Sequence, residues 1–325
     1  MFYILDGGLQ TLVQDSGRKD YYHLGVPPSG AADRYSFCLG NILLGNPIDY
    51  AALEITLLGP KIEVRKKTVI AITGAPMDVK VNGQPIPMWE SVCVQEGDVL
   101  TLRSTAKGVK TYLCVSGGIQ VPDVLGSKST YTLSQLGGFQ GRKLLAGDEV
   151  IIGEPLPGVF HHVGTRIPEE YLPRFSSSID IRMVMGISSY RLSDEGLKAF
   201  LNSEWQVGLE SNNIAYRYTG ATAAFQSVDP PFGAGNNASN TVDIVYPIGA
   251  IMIPNEKELI LLLRDATTGG GFVTIGTTIS ADLDLVAQSR PHSITRFIAV
   301  THDQAIEARM QRKRKLLSLQ SLLKG

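Results

Sequence analysis

Reactive side chains gather in four places along the chain. Gln14, Asp15 and Arg18 follow the apolar pair Leu12-Val13. An Asp–Arg pair so spaced suits two roles: an ion pair holding a strand-end turn, or a guanidinium that binds a carboxylate or phosphate through paired N–H···O bonds. Ser29 and Asp33 suit a turn and a helix N-cap, while the Gly- and Pro-bounded stretch 25–32 also suits a ligand-facing loop. Glu54 falls in an otherwise apolar strand, where it either faces solvent by alternation or is a buried carboxylate with a partner. Asp265 comes just after the apolar run 259–263, where a barrel would deliver a carboxylate to its mouth. Thr268 and Gly270-Gly271 beside it suit close backbone approach to a ligand. Of the two carboxylates Asp265 is the preferred catalytic group, with Glu54 second.

Self-contained catalytic signatures are absent from the sequence. There is no HExxH, and the pair His161-His162 has no Cys or carboxylate at ligand spacing, so no metal site is expected. Gly126-Ser127-Lys128-Ser129-Thr130 has some of the residues of a phosphate-binding loop but lacks the Gly-Lys-Ser/Thr order. No GxSxG elbow and no GxGxxG after a strand occurs. The chain therefore advertises no self-contained nucleotide site, and which chain of a complex binds ATP stays open.

The elements that must position these residues are mostly short strands. With 325 residues, 34 Gly and 17 Pro, the chain is long enough for two domains and rich in tight turns. Residues 77–81 alternate apolar and polar, and Asn82-Gly83 suits a type I′ turn. The return strand 84–88 is demoted to an edge by Pro85 and Pro87. Further strands are expected at 53–58, 62–64, 69–73, 99–103, 111–115 and 149–152. In the second half they are expected at 179–185, 205–209, 214–218, 242–246, 258–263 and 272–276. This spacing fits barrels or sandwiches better than βαβ units. Helices are expected after Asp33, ending at Gly45-Asn46-Pro47, over 194–201 capped by Ser193, and over 281–288 capped by Ser280. A last helix spans 301–323 with a Thr301–Gln304 capping box. The spans implied are a first domain at 1–157, a crossover at 158–178, a second domain at 179–300 and a basic helix at 301–325.

Net charge is −1, from 30 basic and 31 acidic residues, which gives no general attraction to nucleic acid or anionic membrane. Arg309, Arg312, Lys313, Arg314 and Lys315 form the one basic run, read as a solvated helix face or a contact between protein chains. Cys38, Cys93 and Cys114 are widely spaced among apolar neighbours and read as reduced thiols. No basic n-region opens the chain and no apolar run approaches a membrane span, so a cytoplasmic protein is expected.

An ordered series of segments carries a resemblance. It runs through 8–18, 25–33, Gly45-Asn46, 53–56, Gly59-Pro60, 115–119, 126–131, 137–142 and Ser280-Ala281-Asp282-Leu283. Together these resemble the 5-oxoprolinase C-subunit / biotin-dependent carboxyltransferase family, whose relatives include allophanate hydrolase subunit 2-like, urea carboxylase-like and kinase-A-inhibitor-antagonist-like proteins. The resemblance implies a mainly β chain of two cyclophilin-like barrel domains, with a few short helices and a C-terminal helix. It also implies a B-subunit-like partner and, in the oxoprolinase system, an A-subunit-like one. In that system the assembly opens 5-oxoproline to glutamate with ATP, together with Mg, bound in the complex. Tyr216 and Arg217 match family positions that orient a substrate, joining Gln14, Asp15, Arg18, Ser29, Thr268, Gly270 and Gly271 as substrate-binding candidates.

Departures fall in the second half. Relatives often carry Ser-Asp-Arg-Met-Gly-Tyr-Arg where this chain has Ser211-Asn212-Asn213-Ile214-Ala215-Tyr216-Arg217. Their Asp-x-Gln-Thr-Thr-Gly-Gly-Tyr becomes Asp265-Ala266-Thr267-Thr268-Gly269-Gly270-Gly271-Phe272. These changes bear on substrate and catalytic competence rather than on fold. The leading expectation is a hetero-oligomeric lactam hydrolase component, inactive without its partners and with a small amide as substrate. The alternatives are biotin-dependent carboxyl transfer to a urea-like amide, with biotin on a separate carrier, and a non-enzymatic antagonist that binds a kinase-inhibitor-like partner.

Overall fold

The computed structural model describes residues 1–227 and 229–324, so Val228 and Gly325, which fall within the expected spans, lie outside the described residues. The chain divides into two units. One comprises Met1–Lys19, Ser29–Phe175 and Arg314–Gly325, and the other Asp20–Pro28 and Ser176–Lys313.

In the first unit, strands β1 (Phe2–Asp6), β4 (Lys61–Val64), β6 (Met77–Val81), β7 (Gln84–Pro85), β9 (Val99–Thr105), β11 (Ile119–Gln120) and β12 (Glu149–Ile152) form one sheet. Its order is β11-β12-β1-β4-β9-β6-β7. A second sheet has the order β2-β3-β10-β5-β8, from β2 (Gln10–Gln14), β3 (Ala52–Thr56), β5 (Thr68–Gly74), β8 (Ser91–Val94) and β10 (Lys110–Val115). Phe2, Ile4, Ile62 and Leu100 of the first sheet share one core with Leu53, Ile55, Ile70, Ile72 and Leu113 of the second.

Side chains alternate across a strand, so the second sheet has another face to cover. Helix α1 (Arg34–Leu43) covers it, packing Phe37, Leu39 and Ile42 against Ala52, Val69, Ala71, Tyr112 and Cys114. This is why β5 and β10 are buried along their whole length. Asp33 caps α1 as expected, accepting from Ser36 N at 2.9 Å. The Asn82-Gly83 turn has positive φ at both residues, 50° and 82°. The return strand β7 is a two-residue edge. Cys38 and Cys114 are buried and all three cysteines are free thiols. Burial pushes the Cys114 thiol far up.

The second unit is a closed barrel of order β13-β20-β17-β18-β15-β14-β21. Its strands are β13 (Ser178–Met185), β14 (Trp205–Val207), β15 (Ala215–Thr219), β17 (Ala250–Asn255), β18 (Glu258–Leu262), β20 (Thr274–Thr278) and β21 (Ile294–Ala299). Parallel pairing of β13 with β21 closes it, from Ser178↔Ile294 to Met183↔Ala299. The interior holds Ile181, Met183, Trp205, Tyr218, Ile251, Leu261, Ile275 and Phe297, with Phe200 of helix α2 (Asp194–Asn202). Closure removes the sheet edges. A separate two-stranded ribbon pairs β16 (Asn240–Val245) with β19 (Gly269–Phe272).

Ser193 caps α2 through Gly196 N at 2.9 Å. At α3 (Leu283–Ala287) the expected Ser280 cap gives way to Asp282 in the N-cap position. The Asp282 carboxylate accepts from Arg182 at 2.9 and 2.6 Å, so it serves the strand rather than the helix end. The last helix, α4 (His302–Lys324), opens on the expected capping box: Thr301 and Gln304 exchange hydrogen bonds of 2.9 and 3.2 Å. Within the second unit Arg312 of this helix pairs with Asp284. Within the first unit Leu319 is fully buried and the Lys315 ammonium lies 5.5 Å from the Tyr35 and Tyr171 ring centres. Arg312 and Lys315 of the basic run therefore have internal partners. No helix among the described residues is long and apolar enough to cross a membrane.

Candidate functional site

The polar residues of the first unit form one hydrogen-bonded assembly around the loop 29–33. Its backbone amides are taken in succession. Gly30 N–H donates to Gln14 Oε1 at 3.1 Å and Ala31 N–H to the Asp15 carbonyl at 2.9 Å. Ala32 N–H donates to Glu54 Oε2 and Asp33 N–H to the Tyr112 hydroxyl, both at 2.8 Å. An oxyanion hole needs N–H groups aimed at a ligand. Here all four are spent within the protein, so the loop's amides hold its shape.

Asp15 acts in the same way. Its carboxylate accepts from Gly17 N at 2.8 Å, Ser127 Oγ at 2.7 Å and Lys128 N at 2.6 Å, and also from Ser129 Oγ. Backbone N–H groups and hydroxyls gathered round one anion make a nest of the kind that elsewhere binds phosphate. In this chain the anion is Asp15 itself. The Ser127, Lys128 and Ser129 donors of the Gly126–Thr130 segment are thus turned on an internal carboxylate. Arg18 is buried, donates to the Ser129 carbonyl, and lies so close to Gly137 that a Cβ there would meet its Nη2 at 2.1 Å. Ser29 is fully buried with φ 54°.

Glu54 lies behind this loop, 1% exposed. Alternation does place it opposite the core residues Leu53 and Ile55, but that face is covered by α1 rather than by water. Tyr112 is its cross-strand partner and donates to Oε2 at 2.9 Å. Lys110, itself buried, stands 3.4 Å from Oε1 and donates to Thr56 Oγ1 at 2.9 Å. Burial, with Glu54 nearby, holds the Tyr112 phenol well above its ordinary range. Lys110 and Tyr112 were not singled out from sequence. Their signal was faint: a lysine and a tyrosine inside or beside an apolar strand, at alternating positions facing Glu54.

In the second unit the candidates separate. Tyr216 is buried and donates to the Ala287 carbonyl at 3.1 Å, tying β15 to α3. Arg217, on the opposite face of that strand, pairs with Glu258 and Glu210. Asp265 is buried and its N–H donates to the Asn213 carbonyl at 3.0 Å. Gly270 packs against the Tyr246 ring, where a Cβ would meet Cε2 at 2.8 Å. Gly271 is more open, its nearest neighbour being the Thr241 carbonyl at 3.4 Å.

Thr268 lines a cavity of about 500 Å³ together with Asp20, Tyr22, His23 and Val245, a size that suits a small ligand. Asp20, Tyr22 and His23 all come from the segment Asp20–Pro28. Tyr22 donates its hydroxyl to the Tyr246 carbonyl, and burial holds its phenol above the usual value, so it stays a donor at neutral pH. The Tyr246 hydroxyl in turn accepts from Phe272 N at 2.6 Å. Two tyrosines therefore brace the loop against the β16–β19 ribbon. Asp20 and His23 remain exposed. A carboxylate acceptor, an imidazole and a threonine hydroxyl around one cavity can bind a small polar molecule that has both N–H and C=O groups. Tyr22, His23 and Asp20 were missed from sequence, although Tyr21-Tyr22-His23 between Arg18 and Gly25 was the available signal. Among the described residues no cluster of His, Cys, Asp and Glu could hold a metal ion.

Residues 24–299 match the model of the carboxyltransferase domain, subdomain A and B. Urea amidolyase of Saccharomyces cerevisiae is 34% identical over 305 residues, 92% of this chain and 16% of that protein. The chain spans a quarter or less of the urea amidolyase and urea carboxylase relatives. The C subunit of 5-oxoprolinase from Escherichia coli is 29% identical, covering 97% of this chain and 96% of that one. Among solved structures, the Kluyveromyces lactis urea carboxylase superposes with a TM-score of 0.91 at 32% identity. That match covers 98% of this chain and 29% of the other.

Proposed function

This chain belongs to the family of the carboxyltransferase domain, subdomain A and B, and from that premise we propose that it is the amide-binding component of an ATP-dependent 5-oxoprolinase. The observation that supports this reading is its correspondence with the C subunit of Escherichia coli 5-oxoprolinase through both units, 97% of one chain and 96% of the other. An A-subunit-like chain and a B-subunit-like chain are its partners in this scheme, and alone it is inactive.

A lactam resists water because nitrogen delocalises into the carbonyl. ATP, with Mg, would supply a phosphoryl group that turns the lactam oxygen into a leaving group. Water then adds at the carbonyl carbon and the ring C–N bond breaks, leaving a free amine and an acyl phosphate. A second water hydrolyses the acyl phosphate, and glutamate, ADP and phosphate result. The engagement of the Gly126–Thr130 segment by Asp15 supports a scheme in which ATP sits on a partner chain. This chain's contribution is orientation. Asp20 accepts the lactam N–H, His23 and Thr268 donate to its oxygen, and the Tyr22–Tyr246 brace holds the loop. Asp265 lies outside the cavity lining and supports the loop that carries Thr268.

A second reading, carboxyl transfer from carboxybiotin to a urea-like amide, is favoured by the higher identity to urea amidolyase, 34%, and the TM-score of 0.91 to urea carboxylase. One experiment separates the two. The chain is mixed with its A-subunit-like and B-subunit-like partners, and glutamate release from 5-oxoproline is followed with ATP, each chain omitted in turn. A parallel arm supplies a biotin carboxylase, its biotinylated carrier, bicarbonate and urea. Glutamate release that needs this chain and falls in His23→Ala supports the first reading. Turnover only in the biotin arm rejects it for the second.

A further inference from the structure

A group of exposed leucines lies on the first unit. Leu9 is 52% exposed, Leu58 and Leu145 each 47%, and Leu5 37%. Single exposed leucines are ordinary. Leu9, Leu58 and Leu145 sit on neighbouring loops and Leu5 near the end of strand β1, and the backbone ties these segments together. Leu9 N–H donates to the Leu58 carbonyl at 3.0 Å, and Gly147 N–H to the Ile4 carbonyl at 2.8 Å, beside Leu5. Gly7 packs so closely on the Leu144 carbonyl that a Cβ would stand 2.1 Å from it. Leu57, just before Leu58, holds φ 59°, a left-handed conformation that a non-glycine residue keeps only where its surroundings enforce it. An apolar group held together in this way is one that a partner surface can cover.

Its rim is basic. Lys61, Arg103 and Lys143 are exposed, and among the described residues none of them pairs with a carboxylate. Gly59 N–H donates to the Arg103 carbonyl at 3.2 Å and Lys143 Nζ to the Leu9 carbonyl at 3.1 Å, which places both beside the leucines. Of the nearby carboxylates Asp148 is held by Arg142, while Asp6, which accepts from Gly8 N–H, keeps its charge opposite Lys61, so the rim sets three cations against one unpaired carboxylate.

We propose that this end of the first unit docks a partner protein whose contact surface has an apolar centre and a carboxylate rim. The partner's apolar side chains cover Leu9, Leu58 and Leu145, and its Asp and Glu residues face Lys61, Arg103 and Lys143. A second copy of this chain fits less well, because a self-complementary contact would set two basic rims against each other. A stable interface takes about 800 Å² from each partner, more than four half-exposed leucines offer, so the rim lies inside the contact. The inference rests on the reading that this chain works beside a B-subunit-like protein, and that protein is the probe.

The test is calorimetric titration of the full chain with the B-subunit-like chain at low and moderate salt. Leu9→Asp combined with Leu145→Asp is expected to weaken binding at least about 100-fold. Arg103→Glu combined with Lys143→Glu is expected to weaken it about tenfold at low salt and to flatten the salt dependence. Ile187→Asp, at a position 95% exposed in the second unit, should leave affinity within about twofold. Circular dichroism checks that each variant is folded, and the rim reversals touch only exposed side chains. Wild-type binding that neither pair of substitutions changes overturns the inference and leaves the proposed function standing. Failure of the wild-type chain to bind rejects both. Self-association that Leu9→Asp abolishes assigns the face to a second copy and overturns the acidic partner.

Discussion

Glu54 shows how a single side chain changes meaning with its surroundings. Read along the strand it either alternates toward solvent or is a buried carboxylate with a partner; in the folded chain it is the latter, flanked by Lys110 and Tyr112. Removing one member of a buried ion pair costs more than the pair contributes, because a charge is then left in a poorly polarisable interior. Lys110→Met should therefore destabilise the chain by about 3–5 kcal/mol, whereas Lys110→Met combined with Glu54→Gln should recover part of that loss, since the amide oxygen still accepts from Ala32 N–H and the Tyr112 hydroxyl. Urea unfolding of both variants checks this. A second residue-scale prediction concerns acid stability. Hydrogen bonds of 2.7 and 2.8 Å from Arg142 hold the Asp148 carboxyl below its ordinary 3.8. Between the native and unfolded values the unfolded chain binds more protons, so stability rises with pH across that interval. Asp148's contribution is complete above the ordinary value and is lost as pH falls through the lower native one. Asp148→Asn should flatten the fall in melting temperature below about pH 4, as read from melting curves between about pH 2 and 6.

At the scale of elements, local chemistry places the ends and tertiary packing chooses the faces. Asp33, Ser193 and Thr301–Gln304 are caps legible from residue type alone, since each supplies an oxygen to helix N–H groups that lack partners. The ribbon β16–β19 was only half legible. Gly269-Gly270-Gly271 lacks the β-branched residues that mark a strand, yet it pairs from Asn240↔Phe272 to Val245↔Gly269. Gly270 is needed there for the Tyr246 ring. Gly270→Val is expected to cost about 1–3 kcal/mol by overpacking and to loosen the Tyr22 brace, while Gly271→Val stays nearly neutral. Thermal melts, with hydrogen exchange of the Phe272 and Tyr246 amides, would register the contrast.

For the whole molecule, the long helix α4 ends in the core of the first unit, where Leu319 is fully buried beside Phe37, Leu39 and Val159. Leu319→Ala should cost about 2–5 kcal/mol, depending on how far the site collapses. Hydrogen exchange should then show lost protection in α1 and the 156–172 segment, with the barrel strands β13–β21 unchanged. Equal loss across the barrel would contradict that assignment.

By itself the sequence determined what depends on neighbours a few residues apart: mainly β architecture from alternation and turn chemistry, the helix caps, the Asn82-Gly83 hairpin, and the ordered segments that carry the family resemblance. Tertiary structure decided what depends on residues far apart in the chain. It put α1 over the face that Glu54 shares, spent the amides of 30–33 on internal acceptors, and turned the Ser127, Lys128 and Ser129 donors on Asp15. It also brought Tyr22 to Tyr246 across 224 positions to wall the cavity. A side chain's type states which bonds it can make; only the packed chain settles whether a partner within the protein has already taken them.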